Sequence, residues 1–554
     1  MQCSQVGYIR KEVLLKFALS LALVALGQPA RIGWAGALAA IFGFALFFAS
    51  LPASLSSKRR FWVGMLWFAS VQLIQLSWMT TIEFQGYYIL FVYAFVCFGL
   101  GCQFGLLTMF VSPKDALPVR HILFCSALWT LMEWVRLHPL CGFSWNPIGL
   151  SLTHFVPSLQ LASVFGILGL SFWVMFTNLL GLNAIRDRFR LKTLALWALC
   201  AGFPYLFGIA YLEVHRDHAF SSLRTALLQT AWLPSEKVFY QERKDDYVSP
   251  FEQWWRILET FKKSQGSDWE LIVLPEAAIP LSAATTYYPF EDVRWIWTSH
   301  FGEMAVEHFP PLKPPYAEER ILRGKPILCV SNLFWCQTLC NLFGAELIVG
   351  LDHLDRETGK NYNSAFFFQP GRILWERYDK RVLLPLAESL PLESLRPLSK
   401  YYGINDFFFP GEKASIWKGI VPISASICYD ETFAEGMREG RKLGAQLFVN
   451  ITNDNFFPAS SLHRQHLYHS RIRAVENGVP LLRACNAGVS AAIDSFGRIH
   501  GQIEESATRE GLLSCTIPAV SLSTLFVFWG EGGIIGICLA IFLFQLYRKF
   551  NYLI

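Results

Sequence analysis

Between about residues 12 and 213 the chain carries seven apolar stretches of about 18–25 residues, each long enough to cross a bilayer as a helix. They lie near 12–28, 32–55, 61–80, 88–112, 119–137, 158–184 and 192–213. Residues 214–520 are mixed and charged like a soluble domain. A last apolar run, "GGIIGICLAIFLFQLY" (532–547), precedes "RKF" near the C-terminus; it is short for a span and suits a helix anchored at an interface. The whole-chain composition, 53% hydrophobic with 16% charged, is that of a membrane protein. The expected organisation is a multi-pass α-helical membrane domain over 1–213, an inserted domain over 214–520, and a C-terminal transmembrane helix and tail over 531–554.

Basic residues set the expected orientation. They gather at Arg10 and Lys11, in "SSKRR" (Lys58, Arg59, Arg60), at Lys114 and Arg120, in "RDRFRLK" (Arg186, Arg188, Arg190, Lys192) and at Arg548 and Lys549. The intervening loops near 28–31, 81–87 and 138–157 are nearly free of them. Seven spans with this alternation put the basic loops in the cytoplasm and residues 214–520 on the outer side. The net charge of +5 is accounted for by these loops, so no nucleic-acid partner is read from it. The first run lacks a small-x-small cleavage site and reads as an uncleaved helix. Cys97, Cys102, Cys125, Cys200 and Cys538 fall in apolar helices, where thiols act as small apolar groups. Cys329, Cys336 and Cys340 leave pairing open, but their spacing matches no zinc pattern.

In the middle segment, short strand-like runs alternate with helical ones. "RTALLQT" (224–230), "ELIVLPE" (270–276), "ELIVGLD" (346–352), "NSAFFFQ" (363–369), "IVPISASIC" (420–428), "AQLFVNIT" (445–452), "VPLLRACNA" (479–487) and "SAAIDSF" (490–496) read as strands. Helices are expected around 250–265, 430–442 and 460–477. This pattern predicts an α/β sandwich with buried sheets. No G-x-G-x-x-G or G-x-x-x-x-G-K occurs, which argues against dinucleotide and nucleotide cofactors.

Three segment ends carry possible chemistry. Glu276 closes "LIVLPE" as either a solvated strand-end charge or an acid/base in a cleft. Lys380 and Glu388 lie in "YDKRVLLPLAESLPLE", which alone is an amphipathic loop with a solvated lysine. Cys428 ends a strand before "YDETFAEGMREG", a strand–turn–helix junction where a cysteine is either a buried apolar residue or a nucleophile. Taken together, a carboxylate can accept the thiol proton, an ammonium can hold oxyanion charge, and the sulfur can attack an acyl carbon. Beside a cation and a base, Cys428 is expected to hold a larger thiolate fraction at neutral pH than an ordinary cysteine.

Glu, Lys and Cys in that order, in "LPEAAIP", "YDKRVLLPLAESLPLE" and "ICYDETF", resemble the nitrilase (carbon–nitrogen hydrolase) superfamily. "NYNSAFF", "NITNDNFF" and "RAVENGVPLLRACNAGVSAAIDSFG" support the likeness. Such a domain inserted between seven helices and one final helix, with the loop "EWVRLHPLCGFSWNPIGLS" (133–151), is similar to the apolipoprotein N-acyltransferase family of the bacterial inner membrane. Asp430 stands where that family usually has Glu, Asn453–Phe457 keeps an aromatic but loses an indole, and residues 281–345 are longer than expected. The resemblance implies an αββα fold, a catalytic domain on the periplasmic side and no cofactor or metal. It implies Glu276, Lys380 and Cys428 as the catalytic triad, with Glu388, Tyr429 and Asp430 supporting it. The implied reaction moves the sn-1 acyl chain of phosphatidylethanolamine through a cysteine thioester to the α-amino group of a diacylglyceryl apolipoprotein. "YYGINDFFFPG" (401–411) is a candidate lid dipping into lipid, or else a buried core loop.

Two rivals remain. A membrane-tethered amidase with water as acceptor shares the triad but has no use for a seven-helix scaffold. A transporter with a sensor domain needs charges along an intramembrane path, and the spans offer little beyond Glu133 and Arg136.

Overall fold

A computed structural model describes the chain except residues 1, 29–30, 141, 217–220, 238–242, 265, 323, 391, 393, 395, 398–406, 459, 507–509 and 552–554. It divides into two compact units. One comprises Met1–His218, Ser460–Gly478 and Ser523–Ile554; the other comprises Ala219–Ala459 and Val479–Leu522.

The first unit is helical. Gly33–Ser50, Tyr88–Phe110, Ala162–Arg186, Leu191–Val214 and Leu525–Arg548 are long and apolar enough to cross a membrane. The other three expected spans are also helices, Gln2–Leu26, Ser57–Gln75 and Val119–Val135. Each has charged residues near its start (Arg10, Lys11 and Glu12; Lys58, Arg59 and Arg60; Arg120), which shortens the apolar stretch. The C-terminal helix begins at Leu525, earlier than the apolar run at 532, because the chain stays helical on both sides of a break at Gly530 (φ 61°). In Gly33–Ser50 a π-turn at Ala39–Gly43 interrupts the regular ladder. Asn178 takes up the released groups. Its Oδ1 accepts from the Phe44 and Ala45 amides, and its Nδ2 donates to the Ala39 and Ala40 carbonyls. Without water, such backbone groups need a partner inside the protein.

Helix Leu462–Asn477 falls in this helical unit although its sequence is polar. Specific hydrogen bonds explain it. Gln465 accepts from the Trp78 indole at 3.0 Å and donates to the Gln75 carbonyl at 2.8 Å. Arg471 donates to the Thr153 carbonyl, and Glu476 accepts from the Ile167 amide at the left-handed Gly166.

The second unit has two six-stranded sheets. In chain order the strands are β1 Ser222–Gln229, β2 Leu271–Val273, β3 Tyr288–Pro289, β4 Ala317–Leu322, β5 Lys325–Val330, β6 Glu346–Leu354, β7 Asn361–Phe368 and β8 Glu376–Asp379. They continue as β9 Trp417–Lys418, β10 Pro422–Ile427, β11 Leu447–Thr452, β12 Leu481–Cys485, β13 Gly488–Ile493, β14 Ile499–Ser506 and β15 Gly511–Pro518. The first sheet runs β15-β1-β2-β6-β7-β8 and the second β14-β13-β12-β11-β10-β9. Each has three parallel strands at its centre (β1, β2, β6 and β10, β11, β12), flanked by antiparallel ones. Leu227, Val273, Ile348 and Phe367 meet Ile423, Ile427, Val449 and Leu482 in one apolar layer.

Helices Pro250–Lys262 and Asn332–Phe343 cover the first sheet, and Ala434–Lys442 packs on β10 of the second. The unit is therefore an αββα sandwich. Residues 281–345, which the sequence leaves without a role, supply helices Phe290–Phe301 and Asn332–Phe343 and the small sheet β3-β5-β4, finishing the outer core.

That core rests on aromatic packing. Trp254 stacks on Trp335 at 5.1 Å between centroids and donates its indole N–H to Asn332 Oδ1. Trp254→Ala is expected to lower stability by about 3–5 kcal/mol. The check is denaturant unfolding of the detergent-solubilised protein followed by far-UV circular dichroism; an unchanged midpoint would contradict this packing.

Candidate active site

Glu276 is placed by the end of β2. The Leu274 amide still donates to the Ile348 carbonyl, but Pro275 has no N–H and the ladder stops. The next residues turn sharply, with Ala277 in the left-handed region at φ 46°. β6 presses on this turn at Gly350, where a Cβ would lie 2.5 Å from Glu276 Cα, so only glycine fits.

Lys380 follows β8, its backbone N–H still paired to the Asn363 carbonyl of β7. Its side chain is 1% exposed, with Nζ 2.7 Å from Glu388 Oε1 and 3.3 Å from Glu276 Oε1. Asn363 Nδ2 bridges the same two carboxylates, at 2.7 Å to Glu276 and 3.1 Å to Glu388. Glu388 is fixed from its own loop by the Leu384 amide.

Cys428 stands where β10 passes into the tight turn Cys428–Thr432, ahead of helix Ala434–Lys442. It is 9% exposed and left-handed at φ 49°, a conformation that costs a non-glycine residue about 1–3 kcal/mol. Neighbours hold it there. Asn450 donates to the Cys428 carbonyl, while Asp430 accepts from the Ile427 and Val382 amides and the Tyr378 hydroxyl. Asp430 thus ties the cysteine turn to the segment after Lys380, and its shorter side chain reaches both. Tyr429 is buried with its ring against Phe433. Beneath, the fully buried Arg483 joins Glu431, Asp454 and Asn450.

Of the sequence candidates, Glu276, Lys380 and Glu388 are in direct contact, and the charges of Glu276 and Lys380 act on the Cys428 thiol. Asn363, Asn450 and Arg483 are site residues that sequence reasoning did not single out. "NYNSAFF" held the signal, an asparagine inside an otherwise buried strand. Of the candidate lid 401–411, residues 401–406 lie outside the described residues. Next to them the Phe408 amide donates to the Glu388 carbonyl and the Gly411 amide to the Lys380 carbonyl. Cys329, Cys336 and Cys340 are free thiols in the core.

The electrostatics correct one expectation. Burial pushes the Cys428 thiol well above the ordinary cysteine value, Glu276 adds to that, and Lys380 opposes without reversing it. The resting sulfur is therefore a thiol, not an enriched thiolate. Burial also raises Glu276, with Lys380 opposing. For Lys380, burial pulls downward, but Glu276 and Glu388 outweigh it and hold the ammonium charged. A raised carboxyl beside a raised thiol is suited to receive its proton without exchange with water.

Residues 226–525 match the carbon–nitrogen hydrolase family, and residues 20–180 match the apolipoprotein N-acyltransferase N-terminal domain. The chain belongs to the carbon–nitrogen hydrolase family, in its apolipoprotein N-acyltransferase branch. The apolipoprotein N-acyltransferase of Chlamydia caviae is 28% identical over 545 residues, 94% of each chain. That of Chlamydia trachomatis serovar D is 29% identical over 536 residues, 93% of each chain. Among solved structures, Saccharomyces cerevisiae Nit3, a member of branch 10 of the nitrilase superfamily, aligns with 56% of this chain and 94% of its own, at 20% identity and TM-score 0.34. With its span-capable helices and these relatives, the chain is a membrane protein.

Because the Cys428 thiol is raised, its alkylation by iodoacetamide should show no plateau near neutral pH and should keep rising through the alkaline range. Peptide mass spectrometry of Cys428 across pH tests this; a rate already saturated at pH ~7 would mean a stable thiolate instead.

Proposed function

We propose that the chain transfers a fatty acyl chain from a membrane phospholipid to the N-terminal α-amino group of a diacylglyceryl bacterial lipoprotein, through a thioester on Cys428. The observation that carries this is the buried Lys380 ammonium held between Glu276 and Glu388 beside a cysteine in a left-handed turn. Relatives named apolipoprotein N-acyltransferase over nearly the full length of both chains support the acceptor class.

In the first step Glu276 takes the Cys428 proton as sulfur bonds to the ester carbonyl carbon. Lys380 and a backbone N–H after Cys428 stabilise the oxyanion. Collapse breaks the acyl C–O bond, the proton passes from Glu276 to the glycerol oxygen, and a lysophospholipid leaves. In the second step the lipoprotein amine attacks the thioester. Glu276 accepts the amine proton and returns it to the departing sulfur. Glu388 orients Lys380. The donor in this reading is the sn-1 chain of phosphatidylethanolamine, and the catalytic unit works on the periplasmic side of the inner membrane, as the loop charges favour. Burial of Glu276, Lys380 and Cys428 limits access of water, which favours transfer over hydrolysis. The water-accepting amidase leaves the match of residues 20–180 without a purpose.

Incubation with phosphatidylethanolamine should add one acyl mass on Cys428, and Cys428→Ala should abolish both adduct and turnover. Cys485→Ala and Cys329→Ala should leave the adduct intact. Lys380→Ala should slow acylation by roughly 3 kcal/mol or more of barrier, and Glu276→Gln should bind lipid yet acylate slowly. Turnover by Cys428→Ala in an N-acylation assay would sink the assignment. For topology, tags in the "SSKRR" and "RDRFRLK" loops should be protected from external protease in spheroplasts, and tags in 214–520 should be accessible. The reverse pattern would exclude exported lipoproteins as substrates.

A further inference from the structure

Lys237 ends the short helix Pro234–Lys237 after β1, and it is 7% exposed. Its ammonium donates to the Ala277 carbonyl at 2.6 Å. Ala277 is the left-handed residue directly after Glu276. On the β6 side of the same turn, Gly350 donates to the Pro275 carbonyl at 3.1 Å and accepts from the Ala278 amide at 2.9 Å. The strained turn that aims Glu276 is therefore held by β6 through backbone bonds and by one buried lysine through a charge-assisted bond.

A neutral donor would satisfy that carbonyl. Burying an ammonium for the purpose is costly unless its charge is also used. The ionisable groups that act on Lys237 are Glu276, Asp352 and Glu236, and Asp352 in turn faces Glu276 and Glu388. Burial brings the Lys237 ammonium down to about 7, with Glu276, Asp352 and Glu236 opposing, so it is charged on the acid side of neutrality.

We propose that Lys237 is a positioning residue for Glu276, fixing the turn that presents the carboxylate and adding a second buried positive charge, besides that of Lys380, that keeps it ionised. This rests on the reading of Glu276 as the general base. Lys237 touches neither the sulfur nor the acyl group; it acts through Glu276.

Single-turnover thioester formation on the full-length enzyme, with phosphatidylethanolamine as donor, is to be followed by intact-protein mass spectrometry across about pH 5–9. Loss of a nearby cation raises a carboxyl, so Lys237→Met should move the acid limb up by about one pH unit and cut the rate below it roughly tenfold. Lys237→Arg keeps the charge and should return the limb toward the wild-type position. Because the readout is the position of the limb, partial loss of folded protein lowers amplitude without imitating it. A Lys237→Met limb that coincides with wild type would overturn the proposal, even with Cys428 still acylated. Acylation that survives in Cys428→Ala would instead overturn the reading beneath it.

Discussion

A lysine ammonium with 1% of its side chain exposed can persist only if its charge is answered inside the protein, and Lys380 is answered by Glu276 and Glu388 at once. The rest of the site follows from that pairing. Two carboxylates and one ammonium leave the immediate cluster with a surplus negative charge, and Asn363 spreads it by donating to both acids. Burial pushes the thiol of Cys428 and the carboxyl of Glu276 upward, Lys380 opposes it at both, and the neighbouring acids add to the rise. Moving a proton from sulfur to Glu276 leaves the total charge unchanged. Exchanging one with solvent does not. The cluster therefore favours an internal proton transfer timed to the arrival of an acyl carbonyl, which brings an oxyanion for Lys380 to hold.

Backbone strain makes this geometry specific. Ala277, Leu386 and Cys428 are non-glycine residues in the left-handed region, and they lie beside Glu276, near Glu388 and at the nucleophile itself. Each costs about 1–3 kcal/mol, so each needs surroundings that fix it. For Glu276 those are β6 and the Ala277 carbonyl's bond to Lys237. The Leu386 amide donates to the Ser389 carbonyl, while Glu388 and Ser389 donate back to Leu384. At Cys428, Asp430 is the fastener, joining the turn to Tyr378 and Val382 on either side of Lys380. The shorter carboxylate at position 430 is no loss here, because the Ile427 and Val382 amides and the Tyr378 hydroxyl all lie within its reach.

Much of this was legible in the sequence, since strand ends announce themselves. Pro275 stops β2 before Glu276, and the β-branched and small run 420–427 delivers Cys428 to a turn. Features set by several distant residues were not legible. Asn363 stands out as an asparagine in a buried strand, but its role is not legible until β7 brings it between two carboxylates. The Cys428 thiol is raised first by its burial and then by Glu276, and a motif that names a neighbouring lysine shows neither the burial nor the acids around it. Residues 281–345 gave no pattern because their helices bury aromatic faces against the first sheet while the small sheet β3-β5-β4 is only partly buried.

Helix Leu462–Asn477 shows the same limit in the helical unit. Hydropathy assigns it to the inserted domain, since it carries three histidines, three arginines and a glutamate. Its place among the apolar helices comes from single polar contacts: Gln465 with Trp78, Arg471 with Thr153, and Glu476 with the Ile167 amide. The last is the most telling. Gly166 takes a non-helical conformation at φ 65°, a break that frees backbone groups in an apolar setting, and the Glu476 carboxylate accepts the next amide at 2.8 Å. A Cβ at position 166 would lie 2.5 Å from the Phe526 ring and 3.0 Å from the same Glu476 carboxylate oxygen, so the helix break, the polar helix and the C-terminal helix meet at one glycine. A polar group buried among apolar helices is tolerated where it satisfies an otherwise orphaned backbone amide, and here that bond ties a hydrophilic helix to the helical unit.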